Sequence, residues 1–139
     1  MAGLVFLDTN IFLYEFDPRD ARKQRIAQDL VARAGESGGV ISFQVVQEFL
    51  NAMTTKFAYP LKRGDLEAYL LKILWPMCKV LPAPSLYVTG MSVREKAGWS
   101  FYDSLIVSAA LLSGCEVLYS EDLQAGRVLD GLEIRNPFA

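Results

Sequence analysis

Four acidic residues occupy positions where a parallel α/β fold would bring their carboxylates together at one edge of a sheet. They are Asp8, Glu48, Asp103 and Asp122. Asp8 directly follows the apolar run at residues 4–7, and Asp122 closely follows a second apolar run at residues 117–119. Continuous apolar runs of this length are typical of buried parallel strands, and open parallel sheets place their sites just beyond the strand C-termini. We therefore predict that the four carboxylates converge.

Such a cluster of acids predicts a bound cation, because like charges at close range cannot all stay ionised without one. The ligands on offer are carboxylate oxygens, and hard oxygen ligands favour Mg²⁺ or Mn²⁺. The chain has no histidine, which excludes Ser-His-Asp and Cys-His triads and His-based zinc sites. Carboxylates, a divalent ion and no other obvious catalytic group together indicate hydrolysis of phosphodiester bonds.

Each acid also has a purely structural interpretation. Asp8 and Asp122 are candidate caps or turn residues, Asp103 is favourable in the first turn of a helix, and Glu48 is a candidate exposed helical glutamate. Two observations favour function. Glu48 lies beside the buried face of its helix rather than opposite it, and Asp103 opens a helix so apolar that a buried acid there needs a partner.

Hydroxyl side chains stand next to these acids, at Thr9, Ser42, Ser104 and Ser120. Such hydroxyls orient carboxylates or bound water in many metal sites, although they are also ordinary helix caps. Thr9 and Ser120 are the candidates for this supporting role, and Ser120 is favoured because it lies at a predicted strand end.

The chain predicts alternating strands and helices. We expect strands at 4–7, 40–42, 78–81, 116–119 and 132–135. Helices are expected at 10–16, 17–34, 66–74, 85–97 and 100–113, and a further helix is expected to begin after Ser42 as its cap. Asp17, Ser85 and Ser100 are the predicted N-caps of three helices, and Pro76 is the predicted end of another. Asp122 is a candidate cap for residues 123–129, and Asp130-Gly131 a turn. This order predicts an α/β fold with a mainly parallel sheet and helices on both faces.

Length and composition restrict the class of protein. A chain of 139 residues that is 52% hydrophobic predicts one domain, spanning 1–139, with a sizeable core. No apolar stretch is long enough to span a bilayer, and no signal-peptide pattern precedes residue 4, so we expect a cytoplasmic protein. Cys78 and Cys115 lack metal-ligand spacing and are expected to be buried free thiols.

The charge balance is only slightly acidic, at −2, and does not indicate a protein that binds nucleic acid by charge alone. Local cations such as Arg19, Arg22 and Lys23 are therefore the expected helpers in recognising a polyanion. Aromatic residues recur at 12–16 and 49–59 and have two interpretations, simple packing or a surface that holds a protein partner.

The motifs at residues 7–10, 41–49, 102–106 and 118–123 resemble those of the PIN-domain family, and within it the VapC-type toxins of toxin–antitoxin modules. The resemblance extends from Val5 to Pro137. It implies a three-layer α/β/α fold and a metal-dependent ribonuclease for single-stranded RNA. Its acidic site would be Asp8, Glu48, Asp103 and Asp122, with Thr9 and Ser120 nearby. Family members often carry a further Asp or Asn after the fourth acid, where this chain has Leu-Gln-Ala-Gly at 123–126.

The resemblance also implies partners. A small antitoxin protein would place its tail in the groove that holds the acids, and we expect a homodimer that loses ribonuclease activity when the antitoxin binds. One or two Mg²⁺ or Mn²⁺ ions remain equally compatible with the acids, and the acid that accepts a proton from water is left open.

Two other classes of function bear on the same residues. A non-catalytic RNA-binding or scaffold domain on the same fold would be favoured by loss of an acid, and all four are present. A receiver-like phosphoryl-transfer domain would need an acidic pair after the first strand and a lysine at a late strand end, and neither is found. The chain also lacks a Walker A loop and a Gly-x-Gly-x-x-Gly fingerprint.

Overall fold

The computed structural model describes residues 3–139, which form a six-stranded sheet and seven α-helices. The strands are β1 Val5–Leu7, β2 Gly39–Ser42, β3 Cys78–Val80, β4 Val117–Tyr119, β5 Val128–Leu129 and β6 Leu132–Arg135. The helices are α1 Thr9–Tyr14, α2 Ala21–Glu36, α3 Phe43–Thr55, α4 Arg63–Tyr69, α5 Trp75–Met77, α6 Pro84–Ala97 and α7 Phe101–Leu112. A π-helical turn, Leu70–Leu74, joins α4 to α5.

The strand order is β3-β2-β1-β4-β6-β5. The pairs β1–β2, β2–β3, β1–β4 and β4–β6 are parallel, and β5 runs antiparallel to β6. The chain adds β2 and β3 on one side of β1 and then returns to place β4 on the other side. Because such crossovers are right-handed, α1 to α5 cover one face and α6 and α7 the other. This confirms the predicted α/β fold with a mainly parallel sheet.

The topology creates a crevice between β1 and β4, because the strand order reverses there. In open α/β sheets, ligands bind beyond the C-terminal strand ends at such a reversal. The strands on either side are anchored by apolar side chains that are completely buried, including Phe6, Leu7 and Leu118. The sheet edge that carries the acids is therefore supported by the core.

Close packing between α6 and α7 fixes the start of α7. Gly90 of α6 lies against Leu105, where a Cβ at residue 90 would come within 2.7 Å of Leu105 Cδ2. The buried Ser108 hydroxyl donates a hydrogen bond of 2.8 Å to the carbonyl of Leu86. The predicted cap at Ser100 is confirmed, since its Oγ accepts the Asp103 N–H at 3.1 Å.

Two predicted caps are wrong. The helix after β1 and α1 begins at Ala21, where Asp20 caps it by accepting the Lys23 N–H at 3.0 Å. Asp17 is instead held by the Arg19 side chain through bonds of 2.9 and 2.7 Å. At the start of α6, Ala83 takes the cap position in place of Ser85, because Pro84 fits the first helical position.

Pro76 does not end its helix as predicted. It lies in the first turn of α5, after the π-helical turn, where its missing N–H is tolerated. Residues 123–129 are not helical, since Gly126 adopts a φ of 85° and the chain turns into β5. The predicted turn at Asp130-Gly131 is confirmed, with φ values of 48° and 85° that suit the tight hairpin between β5 and β6.

Cys78 and Cys115 are free thiols, as predicted, although Cys78 is only partly buried. Within residues 3–139, none of the helices combines the length and the hydropathy that crossing a membrane would demand.

Candidate active site

The four predicted acids line a single cavity of about 270 Å³ beyond the C-terminal ends of β1 and β4. The other lining residues are Thr9, Asn10, Leu13, Asn51, Ala52, Lys56 and Ile106. Each acid comes from a different element: one follows β1, one follows β4, one lies on α3 and one on α7. The structure thus brings together the residues that the sequence singled out, and their chemical role stays a prediction.

Asp8 and Ser120 are adjacent because their strands pair in register. Leu7 of β1 lies opposite Tyr119 of β4, so the residues that follow them are also neighbours. The Asp8 N–H donates to the Tyr119 carbonyl at 3.0 Å, and the Ser120 hydroxyl donates to Asp8 Oδ2 at 2.8 Å. Ser120 is completely buried. Its hydroxyl therefore fixes the orientation of the carboxylate, as expected for a supporting group.

Glu48 is positioned by Thr9 across the boundary between α1 and α3. The Thr9 hydroxyl donates to Glu48 Oε1 at 2.8 Å, and the Thr9 N–H donates to Asp8 Oδ1 at 2.8 Å. One residue thus holds two of the acids at once. Glu48 itself is exposed to the cavity, on the helix side next to the buried Val45 and Phe49.

Asp103 and Asp122 complete the acidic rim. Asp103 lies in the first turn of α7, which is tied to α3 by the Gln44 side-chain amide donating to the Tyr102 carbonyl at 3.1 Å. Asp122 Oδ2 accepts from the Asn10 amide at 2.6 Å. Asn10 belongs to the motif that begins at Asp8, yet the sequence analysis did not assign it to the site.

The neighbouring Glu121 points away from the cavity. Lys23 pairs with Glu121 Oε2 at 2.5 Å, and the Tyr14 hydroxyl donates to its Oε1 at 2.6 Å. Glu121 therefore belongs to a separate ion pair beside the site.

The acidic groups in the cavity repel one another because their charges have the same sign. Burial raises the pKa of Asp8 to about 6, and the charges of Glu48 and Asp122 act in the same direction. The hydrogen bonds from the Thr9 amide and the Ser120 hydroxyl oppose this rise. Burial also raises the pKa of Asp122, with contributions from the charges of Glu121 and Asp103. A cation among these groups would relieve that repulsion.

The donor set fits a hard divalent cation. Asp8, Glu48, Asp103 and Asp122 offer carboxylate oxygens without nitrogen or sulphur ligands, which is the ligand chemistry of Mg²⁺ and Mn²⁺. As the side chains stand in residues 3–139, no three acids are close enough together to hold one ion in common. Small rotations of these exposed and half-buried carboxylates would therefore have to accompany binding.

The cations expected to help recognise a polyanion are already engaged within the protein. Arg19 is paired with Asp17 at 2.7 Å, Lys23 with Glu121, and Arg22 donates to the Phe138 carbonyl at 2.7 Å. By contrast, Lys56 lines the acidic cavity itself. Nothing in the local sequence marks Lys56 as part of a site, because a lysine that directly follows a helix is common.

The aromatic residues at 12–16 and 49–59 divide into two groups. Phe12 and Phe49 are completely buried, and their rings meet edge to face at 6.4 Å. For these two, simple packing is the correct interpretation. Tyr14, Phe16 and Phe57 are half-buried and Tyr59 is exposed, so both segments also carry aromatic residues that reach the surface.

The chain is similar to known proteins in both family and fold. The model of the PIN domain family matches residues 5–129. Among curated protein sequences, none matches the chain significantly.

Three solved structures share the fold at low sequence identity. One is the structure of VapBC2 from Rickettsia felis bound to a DNA fragment from its promoter. A chain of that structure has a TM-score of 0.63 and 18% sequence identity, and the match covers 96% of this chain and 98% of that one. FitAcB from Neisseria gonorrhoeae has a TM-score of 0.63 and 17% sequence identity, and the match covers 97% of this chain and 99% of that one. VapC20 of Mycobacterium tuberculosis, described as a sarcin-ricin loop cleaving toxin, has a TM-score of 0.58 and 18% sequence identity. The match covers 85% of this chain and 89% of that one.

Proposed function

The chain belongs to the PIN domain family, and from that premise we propose that it is an endoribonuclease dependent on Mg²⁺ or Mn²⁺. Its substrate would be single-stranded RNA and its reaction the hydrolysis of a phosphodiester bond. The observation that carries the proposal is the convergence of four carboxylates on one cavity at the strand ends. The similarity in fold to a toxin that cleaves the sarcin-ricin loop supports it.

The residues of this chain would act mainly by holding charge in place. The side chains of Ser120, Thr9 and Asn10 each donate to one acid, Asp8, Glu48 and Asp122 respectively. The carboxylates are thereby oriented before substrate arrives, which avoids reorganisation during the reaction. A divalent cation bound among the four acids would supply polarisation of the phosphate and a lowered pKa for attacking water.

During hydrolysis, the water oxygen forms a bond to phosphorus while the bond from phosphorus to the leaving nucleotide oxygen breaks. The water must give up a proton, and a carboxylate that faces the cavity can accept it. Asp103 is well placed, because within residues 3–139 its carboxylate accepts no side-chain or backbone hydrogen bond. The other three acids each accept at least one.

The test is an RNA-cleavage assay on a fluorescent single-stranded RNA. We expect cleavage in Mg²⁺ or Mn²⁺, loss of cleavage in EDTA and recovery when the ion is restored. Asp103→Asn removes one charge with little change in volume and should abolish cleavage. The matched variant Asp29→Asn, at an exposed aspartate of α2 outside the cavity, should keep it. Cleavage that is equal in EDTA, or undiminished by Asp103→Asn, would contradict the proposal. Absence of cleavage in both Mg²⁺ and Mn²⁺ would leave a non-catalytic RNA-binding or scaffold domain as the alternative.

We also propose that the protein is the toxin of a toxin–antitoxin pair. Its fold is similar to chains of VapBC2 and FitAcB and to the toxin VapC20. A small antitoxin with an arginine in its tail would find several carboxylates in the cavity, and charge-assisted bonds from arginine to carboxylate are strong. Co-expression with the adjacent open reading frame should yield a complex with no ribonuclease activity. If the protein does not bind the product of the adjacent open reading frame and stays fully active, the toxin assignment is refuted. The proposed nuclease activity would be unaffected by that result.

A homodimer is the oligomeric state that we propose. The outer side of α6 exposes Val88 and Met91, with 62% and 55% of their surface accessible, and Tyr87 beside them. Residues three or four positions apart share one helix side, so these form a continuous apolar patch. Val88→Asp should convert the dimer to a monomer in size-exclusion chromatography with light scattering. Val128→Asp, at an equally exposed valine on β5, should not.

A further inference from the structure

A second cavity adjoins the acidic one. It has a volume of about 180 Å³ and is lined by Asn10, Leu13, Tyr14, Asp17 and Phe57. Two of these residues, Asn10 and Leu13, also line the cavity that holds the four acids. The two cavities therefore lie side by side, and together they are called the groove below.

The segment after α3 supplies both a cation and an aromatic ring to this groove. Lys56 lines the acidic cavity, and Phe57, the next residue, lines the second cavity. Their backbone is fixed, because the N–H groups of both residues donate to the Ala52 carbonyl, at 3.1 and 2.9 Å. The positions of the cation and the ring are thus coupled to the end of α3.

The outer rim of the groove continues the same pattern. The Tyr59 ring meets the Phe57 ring edge to face at 6.4 Å, and the Arg19 guanidinium lies 5.4 Å from the Tyr59 ring centroid. Arg19 is held in turn by Asp17, which is 7% exposed. Aromatic rings at this edge resemble the surfaces that bind single-stranded nucleic acid, where bases stack on aromatic side chains.

The charges favour an extended polyanion with rings over an apolar ligand. Within residues 3–139, Lys56 forms no ion pair, whereas Arg19 and Lys23 are neutralised by Asp17 and Glu121. A phosphate bound among the acids with their cation would bring a negative oxygen towards Lys56. The sugar attached to that phosphate would direct its base along the groove to Phe57.

The geometry points to the second cavity as a nucleobase subsite, in which Phe57 stacks on the base of a nucleotide next to the phosphate held at the acids, and Lys56 contacts that phosphate. This inference rests on the proposed ribonuclease function and deepens it. It assigns a binding role to two residues outside the four acids and explains how a chain of net charge −2 would hold RNA.

The test measures equilibrium binding rather than turnover. Fluorescence anisotropy of a labelled eight-nucleotide single-stranded RNA is recorded in Ca²⁺, with gel analysis to establish that the RNA stays intact. Phe57→Leu keeps apolar packing but removes the aromatic face, so it should weaken binding about tenfold. Lys56→Ala should weaken binding and also reduce the slope of log K against log salt by about 0.7, the value for one phosphate contact on a single strand.

Matched controls separate these effects from general damage. Phe43→Leu makes the same change at a half-buried phenylalanine at the other end of α3, and Lys62→Ala removes an exposed lysine outside both cavities. Both should bind RNA as the wild type does. The decisive comparison uses an RNA of the same length with abasic nucleotides, on which Phe57→Leu and wild type should bind equally.

The outcomes are distinct. An equal loss for Phe57→Leu on normal and abasic RNA would show a structural role and overturn the subsite, as would no loss on normal RNA. A competing interpretation, a protein tail in this groove, would be favoured if Phe57→Leu weakened capture of the co-expressed neighbour but left RNA binding unchanged. If wild-type protein neither binds nor cleaves RNA in Mg²⁺, the proposed function itself fails. If the wild type cleaves RNA but Phe57→Leu binds RNA as tightly as the wild type does, the subsite alone is refuted.

Discussion

Asp8 and Glu15 are both carboxyl groups whose pKa is raised by burial, yet their surroundings differ. The pKa of Asp8 rises to about 6 and that of Glu15 to about 7. Asp8 shares its cavity with three other acids and with Thr9, and it accepts a hydrogen bond from the Ser120 hydroxyl behind the cavity. Glu15 accepts one hydrogen bond, from the Tyr69 hydroxyl, beside the stacked rings of Phe49 and Tyr69.

The difference teaches that a raised pKa alone does not identify a functional site. Glu15 accepts a hydrogen bond from one neutral group, and no neighbouring charge contributes to the shift of its pKa. Asp8 is surrounded by charges of its own sign and by donors that favour its ionised form. Charge of one sign that is gathered, oriented and open to a cavity indicates binding of a cation, whereas an isolated buried acid indicates structure.

The largest expected effect is on catalysis. Asp8→Asn and Glu48→Gln each remove a charge from the acidic cavity and should lower the rate of RNA cleavage by about a thousandfold or more, since the cation would lose a ligand. Glu15→Gln, a comparable change at the other carboxyl, should leave cleavage within about threefold of the wild type. Initial rates on one RNA under saturating Mn²⁺ provide the measurement. Similar losses at Asp8 and Glu15 would end the distinction between the two sites.

The next effect is on the pH dependence of stability. Because the folded-state pKa of Glu15 is raised from 4.5 to about 7, its native form binds a proton more tightly than the unfolded chain. The resulting stabilisation is complete below about pH 4.5 and is lost as pH rises through 7. Relative to Glu15→Gln, the wild type should lose roughly 3 kcal/mol of unfolding free energy over this window. Urea denaturation at several pH values measures the difference, and parallel curves for the two proteins would contradict it.

A smaller effect concerns metal. Millimolar Mn²⁺ should raise the melting temperature of the wild type by roughly 3–8 °C, because the ion binds the folded site and relieves repulsion around Asp8. Glu15→Gln should keep this response, and Asp103→Asn should lose most of it. Differential scanning fluorimetry with and without Mn²⁺ is sufficient. An undiminished response in Asp103→Asn would remove Asp103 from the set of ligands.

The smallest effect concerns the hydroxyl that orients Asp8. Ser120→Ala removes its hydrogen bond to the carboxylate and should increase about tenfold the Mn²⁺ concentration needed for half-maximal stabilisation. Ser108→Ala removes another buried hydroxyl, bonded to the Leu86 carbonyl away from the acids, and should leave the Mn²⁺ response unchanged. Equal responses in the two variants would show that the Ser120 hydroxyl has no influence on the site.

Local sequence patterns were sufficient to predict much of this protein. Apolar runs predicted the strands β1 and β4, the Ser100 cap predicted the start of α7, and Asp130-Gly131 predicted a turn, which the structure shows to join β5 to β6. The placement of acids after strands and at helix starts predicted their convergence in one cavity. These features depend on neighbours within a few residues, or on the rule that parallel strands end at one edge.

Competition between near-equivalent local signals explains the wrong predictions. Asp17 and Asp20 both have the chemistry of a helix cap, and only the ion pair of Asp17 with Arg19 decides between them. Ser85 loses to the backbone preference of Pro84. In both cases the sequence contains the correct residue types but does not rank them.

What the sequence determined by itself is the alternation of strands and helices and the positions of the four acids along it. Only the tertiary structure decided which donors hold which acids, since Ser120 and Asp8 are 112 residues apart in the chain and Thr9 and Glu48 are 39 apart. It also decided that Arg19 and Lys23 are neutralised while Lys56 faces the acids. Periodicity and capping are local properties, whereas pairing between distant side chains depends on strand register and helix packing that no short segment encodes.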